Sequence, residues 1–153
     1  MKVEFWMTGK TSQSIVKKEI DQYSSRINKY IPFEIKELKI PKEKTAERII
    51  IKESEIVLSN LKVNDFLIIL DEKGKKFTSI EFAKQLQALF NRSGSRLIFL
   101  VGGAYGFSNQ IYQRSNLSIS LSHMTFTHEM IRIFFTEQLY RALTIINNHP
   151  YHN

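Results

Sequence analysis

Residues 97–108 read LIFLVGGAYGFS. Five large apolar side chains stand at successive positions from Leu97 to Val101, and the run stops on Gly102 and Gly103, with Gly106 close behind. A strand with one wet face alternates apolar and polar residues. A strand that is apolar at every position is covered on both faces, the mark of a central strand in a parallel sheet. FLIIL at 66–70 repeats the pattern. Working outward, short apolar runs alternate with longer amphipathic ones in β-then-α order. Strands are predicted at 3–7, 33–40, 65–71, 96–102 and 117–121. Helices are predicted at 12–30, 43–60, 79–91, briefly after Ser108, and at 127–146. The expected fold is α/β: one domain over 1–153, with a mostly parallel central sheet flanked by helices.

Composition agrees with a globular domain, at 42% hydrophobic and 24% charged residues. The longest uncharged apolar runs, 66–70 and 97–101, fall far short of the roughly 18 residues a bilayer requires, so no membrane span is expected. Residues 1–14, MKVEFWMTGKTSQS, lack the apolar stretch of a secretory leader, which points to the cytoplasm. The absence of Cys excludes disulfides and thiolate metal sites. The formal net charge of +7 is uneven: residues 1–96 hold 19 Lys and Arg against 13 Asp and Glu, residues 97–153 only 3 against 2. Such an excess suits phosphate neutralisation along a nucleic acid, and equally a well solvated surface.

The glycines invite a nucleotide reading, which their spacing refuses. A dinucleotide loop needs Gly-x-Gly-x-x-Gly on the first strand–helix turn and an acidic residue about 20 positions on. Here the order is Gly-Gly-x-x-Gly after the fourth strand, and no Asp or Glu lies between Phe107 and His128. No Gly-Lys-Ser/Thr closes the loop as in a P-loop. Two readings of Gly102 and Gly103 remain: close packing at a strand end, or close approach of a flat ligand to the main chain. His128-Glu129 opens like a zinc-protease helix, but Arg132 occupies the second ligand position, and His123, His149 and His152 lack metal-ligand spacing, so no metal is expected. A serine-hydrolase elbow, Gly-x-Ser-x-Gly, is absent.

Thr127 suits a helix N-cap with Glu129 in the positive first turn, placing residues 122–126 at the carboxyl edge of the sheet, facing the glycine turn. Backbone donors and acceptors between apolar walls suit an adenine ring there, and equally ordinary loop packing. KGKK at 73–76 is expected in the loop after strand three on the same edge, as a solvated turn or part of a ligand rim. The last helix carries Met130, Ile131, Ile133, Phe134, Phe135, Leu139, Ala142, Leu143 and Ile146, more than one core-facing stripe accommodates. Either a second copy of the chain covers the extra face, or the helix is buried centrally in its own domain. Glu137 and Arg141 stand at i and i+4, the spacing of a helix salt bridge unless they face a cleft. The tail NNHPYHN holds Tyr151 and His152 behind a stiffening Pro150, an unusual composition for a fraying end, and substrate contact is expected of it.

Four stretches in order, LDEKGKKFTSIEFA (70–83), FLVGGAYGFS (99–108), RSNLSISLSHMTFTHEMIR (114–132) and EQLYRALTIINNHPYH (137–152), resemble a small bacterial family. That family is the large-subunit rRNA pseudouridine methyltransferases of the SPOUT class, and the likeness spans essentially the whole chain. The resemblance implies a homodimer and a deep trefoil knot in the C-terminal third, an exception to the rule that chains do not thread loops. It implies S-adenosyl-L-methionine as cofactor and S-adenosylhomocysteine as product. Leu70, Gly102, Gly103, Leu121, Ser122, His123, Met124, Thr125 and Phe126 match the cofactor-binding positions. The implied reaction is methylation of N3 of a pseudouridine in helix 69 of 23S rRNA, on assembled ribosomes. Tyr151 and His152 would touch the substrate or take its proton, and Arg132, Glu137 and Arg141 would position it. With no room for a separate RNA-binding domain, the basic α/β surface and the partner subunit's tail would grip the RNA. A rival reading keeps the fold as a non-enzymatic ribosome-binding factor. Two positions depart from the family pattern: Thr127 stands where Pro is usual before the His, and Asn153 where a basic residue is usual.

Overall fold

The computed structural model describes residues 1–92, 94 and 96–152, so Asn153 lies outside the described residues. Along the chain run β1 (Lys2–Thr8), α1 (Ser14–Ile27), β2 (Phe33–Leu38), α2 (Ala46–Asn60) and β3 (Phe66–Lys76). There follow α3 (Ser79–Phe90), β4 (Arg96–Val101), α4 (Asn109–Arg114), β5 (Leu117–Ser120) and α5 (His128–Ile146). The strands form one sheet in the order β2-β1-β4-β3-β5, every neighbouring pair parallel.

The uninterrupted apolar runs have the cause expected of them. In β4, Leu97, Phe99 and Val101 enter the core beneath α1, α3 and α5, while Ile98 and Leu100 enter a second core beneath α2 and α4. β3 divides likewise, Ile68 and Leu70 to one side, Leu67 and Ile69 to the other. Each such side chain stabilises the fold by about 1.5–3 kcal/mol. Phe135 of α5 lies on Phe5 of β1 and Phe99 of β4, with ring centroids 4.6 and 4.7 Å apart, and so fixes the last helix across the sheet centre. At the amino edge, Arg96 ties β4 to Asp65 at 2.6 Å and to Glu4 at 3.3 Å.

Element order matches the sequence reading, and the departures lie at element ends. α1 starts at Ser14 rather than 12, because the Ser12 and Gln13 amides donate to the Glu129 carboxylate instead of opening the helix. α2 starts at Ala46 because the Thr45 side chain caps it. KGKK is not in a loop. Lys73–Lys76 belong to β3, which shifts register between Leu70 and Lys75 and then pairs again with Ile119 and Ser120 of β5. Gly74 permits that continuation: a Cβ there would lie 2.7 Å from the backbone of Ser118 and Ile119.

The crowded apolar surface of α5 is largely explained by central burial. The helix packs between α1 and α3 and buries Phe135, Leu139, Ala142 and Leu143, leaving Met130 and Phe134 39% and 37% exposed. No described helix is long and apolar enough to cross a membrane.

Candidate functional site

The glycine turn after β4 and the loop after β5 face each other across a cavity of about 230 Å³ at the carboxyl edge of the sheet. Leu70, Gly102, Gly103, Leu121, Ser122, Met124, Thr125 and Phe126 all line it, together with Asp71, Glu72, His128 and Ile131. The exposed His123 is not among the lining residues.

The walls hold themselves in place. Ser122 accepts the Met124 amide at 3.0 Å, Ser120 donates to the Ser122 carbonyl at 2.8 Å, and Thr125 donates to Glu72 at 2.7 Å, tying the 121–126 loop to β3. Tyr112 of α4 donates to Asp71 on the opposite side. Burial, reinforced by that carboxylate, pushes the Tyr112 phenol up to about 12, so it remains a donor. The result is an apolar pouch with main-chain polar groups and two carboxylates at its rim, chemistry that fits a flat heterocycle attached to a cationic tail.

A second cavity of about 370 Å³ adjoins the first and shares Ile119, Ser120, Leu121 and Phe126 with it. Phe77, Phe82, Phe134 and Glu137 form its other walls. Taken together the two hollows reach the roughly 300–1,000 Å³ usual for small-molecule sites.

The two glycines bring different side chains of the protein against the main chain. At Gly102 a Cβ would come within 2.9 Å of the Phe107 ring. At Gly103 it would come within 2.5 Å of Glu53 Oε1. Glu53, on α2, escaped sequence reasoning, since one acidic residue on a helix rich in charge reads as solvated. Its carboxyl lies against the Gly103 main chain, and burial pushes its pKa above the usual carboxylate range, against the opposing pull of the Gly103 amide and the Thr8 hydroxyl.

Glu137, Arg141, Tyr151 and His152 come together, away from the first cavity. α5 ends in a reversing turn, with Asn148 in the left-handed region at φ 56° and the His149 amide reaching back to the Thr144 carbonyl at 2.9 Å. The tail therefore folds back along the helix. Arg141 donates to Glu137 Oε1 through Nε (3.0 Å) and Nη2 (2.6 Å), and through Nη1 to His152 Nδ1 at 3.1 Å. Tyr151 donates to Glu137 at 3.1 Å beneath the Arg141 guanidinium, which lies 4.8 Å from its ring centre. Burial, then the Tyr23 hydroxyl, push the Tyr151 phenol well above the ordinary tyrosine range. Because Arg141 can only donate, His152 Nδ1 must accept, which leaves the proton on Nε2. His152 thus presents a donor at Nε2, while the Tyr151 proton is committed to Glu137.

Arg132 stands apart from these four. It is 1% exposed and donates to Thr11 Oγ1 at 2.8 Å and to the Gly9 carbonyl at 3.2 Å, clamping the β1–α1 loop onto α5. Glu129 helps from one turn earlier. Burial disfavours its charge, but the Ser12 hydroxyl and amide outweigh this and hold the carboxyl below its usual range. Among the described residues no group of three or more His, Cys, Asp or Glu is placed to hold a metal ion.

Comparison with known proteins gives this arrangement a lineage. Residues 1–152 match the family described as "Predicted SPOUT methyltransferase". The chain is 46% identical over 155 residues to a protein of Cytophaga hutchinsonii named Ribosomal RNA large subunit methyltransferase H, with all of both chains covered. It is 44% identical over 156 residues to the protein of that name from Parabacteroides distasonis, covering all of this chain and 99% of the relative. In fold it is similar to a probable methylase family protein from Haemophilus influenzae Rd KW20, with a TM-score of 0.55 at 13% identity over 99% of this chain and 70% of that one. A parallel α/β sheet whose glycine turn and 121–126 loop enclose a pouch, matched from end to end by these relatives, places the chain in the SPOUT methyltransferase family.

Proposed function

We propose that this chain is an S-adenosylmethionine-dependent methyltransferase, acting in the cytoplasm as a homodimer on N3 of a pseudouridine in helix 69 of 23S rRNA within assembled ribosomes. The observation that carries the reading is the pouch at the carboxyl edge, lined by eight of the nine residues matched to cofactor binding. The relatives' names support the rRNA substrate. The knot implied by the resemblance is part of this proposal.

Once bound, the sulfonium cofactor would supply an already activated methyl group. The protein's share of the work is then alignment, which can contribute roughly 7–11 kcal/mol to a reaction of two bound partners. Leu70 and the 121–126 loop would hold the adenosine portion, and Asp71 and Glu72 suit its cationic end. The Nε2 donor of His152 suits a carbonyl oxygen flanking N3, orienting the acceptor base. Tyr151 and His152 cluster around Glu137 and Arg141, about 13–20 Å along α5 from His128 at the pouch, by the 1.5 Å rise per residue. A second copy of the chain would bring one tail to the other's pouch, and the exposed Phe126–Phe134 pair, 4.9 Å between ring centres, is apolar surface such a copy would cover.

The RNA has a basic rim to rest on. Lys10, Lys39, Lys42, Lys44, Lys73, Lys75 and Lys76 all follow or end strands at the carboxyl edge, and all are exposed. A Lys42→Glu, Lys44→Glu double variant is expected to bind a helix 69 hairpin about 10–100-fold more weakly at physiological salt. Its plot of log affinity against log salt should be shallower by about two, while cofactor affinity stays unchanged. Fluorescence anisotropy across a salt series checks this.

The direct test is calorimetry with S-adenosylhomocysteine, where binding of micromolar order is expected, paired with mass spectrometry of 23S rRNA from cells lacking the gene. A missing N3 methyl group that returns with the gene supports the enzyme. Ribosome association indifferent to cofactor, with unaltered rRNA, would instead identify a binding factor that keeps only the fold.

A further inference from the structure

We propose that Glu53 is a positioning residue of the pouch, holding the glycine turn from the far side of the sheet so that Gly103 presents a fixed, side-chain-free wall to the cofactor. The inference rests on the reading of the pouch as the cofactor site and names a residue outside the cofactor and tail motifs.

The geometry is specific. α2 covers the face of the sheet away from α5, with Ser54 and Val57 buried. Glu53 and its neighbour Ser54 reach the two ends of one turn. The Glu53 carboxyl lies against the Gly103 main chain, whose amide favours its charged form, and the Ser54 hydroxyl lies 2.7 Å from that of Ser108, the N-cap of α4. Residues 103 to 108 are thus stapled at both ends by one helical step of α2.

Thr8 also lies toward the Glu53 carboxyl and favours its charge, though its buried hydroxyl completes no hydrogen bond. The Gly103 carbonyl is engaged as well, by the Gly106 amide at 3.3 Å. With its carbonyl engaged and Glu53 seated against its main chain, what Gly103 offers a ligand is bare backbone at a set height. A carboxyl placed partly out of water is costly unless it is hydrogen-bonded, and a backbone amide is a partner no surface mutation can remove. The same carboxyl crowds position 103, where a Cβ would sit 2.5 Å from its Oε1 and 3.3 Å from Oε2, so any larger residue would push Glu53 aside.

The test compares wild type, Glu53→Gln and Glu53→Ala by calorimetry with S-adenosylhomocysteine, alongside hairpin RNA affinity and thermal unfolding. Glutamine keeps an oxygen for the Gly103 amide, so its cofactor affinity should stay within about threefold of wild type. Alanine should weaken it about 10–100-fold, the range for a hydrogen bond to a charged group, while RNA affinity is unchanged. Wild-type cofactor affinity in Glu53→Ala would overturn the inference, as would equal losses of cofactor and RNA binding. If wild type itself does not bind, the reading of the pouch fails instead.

A second measurement does not depend on the alanine variant folding. In ¹⁵N-labelled protein the Gly103 amide proton should resonate downfield, as expected beside a charged acceptor, and move upfield in Glu53→Gln. An unmoved resonance would overturn the assignment.

Discussion

Gly74→Val is expected to lower the melting temperature by about 10 °C, corresponding to about 4 kcal/mol in a chain of this size. The cause is a collision that no side-chain rotation can relieve. A Cβ at position 74 would lie 2.7 Å from Ile119 N, Ile119 C and Ser118 C, all main-chain atoms of a neighbouring strand. β3 pairs with β5 both before and after this point, at Leu70↔Ile119 and at Lys75↔Ile119, so moving one strand disturbs both registers. Cofactor binding should fall with stability, because Leu70, Ile119, Ser120 and Leu121 line the pouch. Gly106→Ala is the control. Its φ of +80° makes any side chain strained, but nothing lies within 4 Å of a Cβ there, so the cost should be only about 1–2 kcal/mol. Differential scanning calorimetry checks both, and a Gly74→Val protein melting within about 2 °C of wild type would mean that β3 and β5 do not approach as described.

The layered sheet was legible because its signals are local. Leu97 to Val101 and Phe66 to Leu70 are apolar at every position, and each divides between two cores as a buried parallel strand must. Thr127 reads as an N-cap and accepts the Met130 amide as one. KGKK failed the same kind of reading. Three lysines around a glycine look like a solvated turn, and their continuation of β3 depends on a strand more than 40 residues away that no short window contains.

The site shows the same division. Residues that line the pouch follow from position in the chain, since the carboxyl ends of parallel strands gather at one edge. The reasons for their identity do not. Gly103 reads as close packing or as room for a ligand, and the atom nearest a Cβ there is Glu53 Oε1, 50 positions earlier and on the opposite face. Arg132 reads as a positioning group beside the substrate, yet its guanidinium meets the loop after β1, whose carbonyls announce nothing in sequence. The i, i+4 pair Glu137 and Arg141 does form the salt bridge its spacing predicts. That pair becomes the floor of a larger cluster only because Asn148 turns the tail back onto it.

Arg141 is the hub of that cluster, and Arg141→Met is expected to reduce methyl transfer about 100-fold, the cost of a loss of alignment near 1 Å. It joins Glu137, His152 and the face of Tyr151, so methionine keeps the aliphatic bulk while releasing both tail side chains. S-adenosylhomocysteine affinity should remain within about twofold, because Arg141, Tyr151 and His152 line neither cavity and Glu137 lines only the second. The melting temperature should fall little, since a partly exposed helix ion pair contributes only about 0.5–1 kcal/mol. If the tail of one copy serves the pouch of the other, two inactive proteins can repair each other. Arg141→Met mixed with Gly103→Val, after exchange of subunits, should form hybrids in half the dimers, each with one intact pouch facing one intact tail, and so regain about a quarter of wild-type turnover. Methyl transfer from a tritiated donor into ribosomes measures it. Recovery near a quarter requires a site built from two chains, whereas no recovery from a mixture shown to exchange means that each chain uses its own tail.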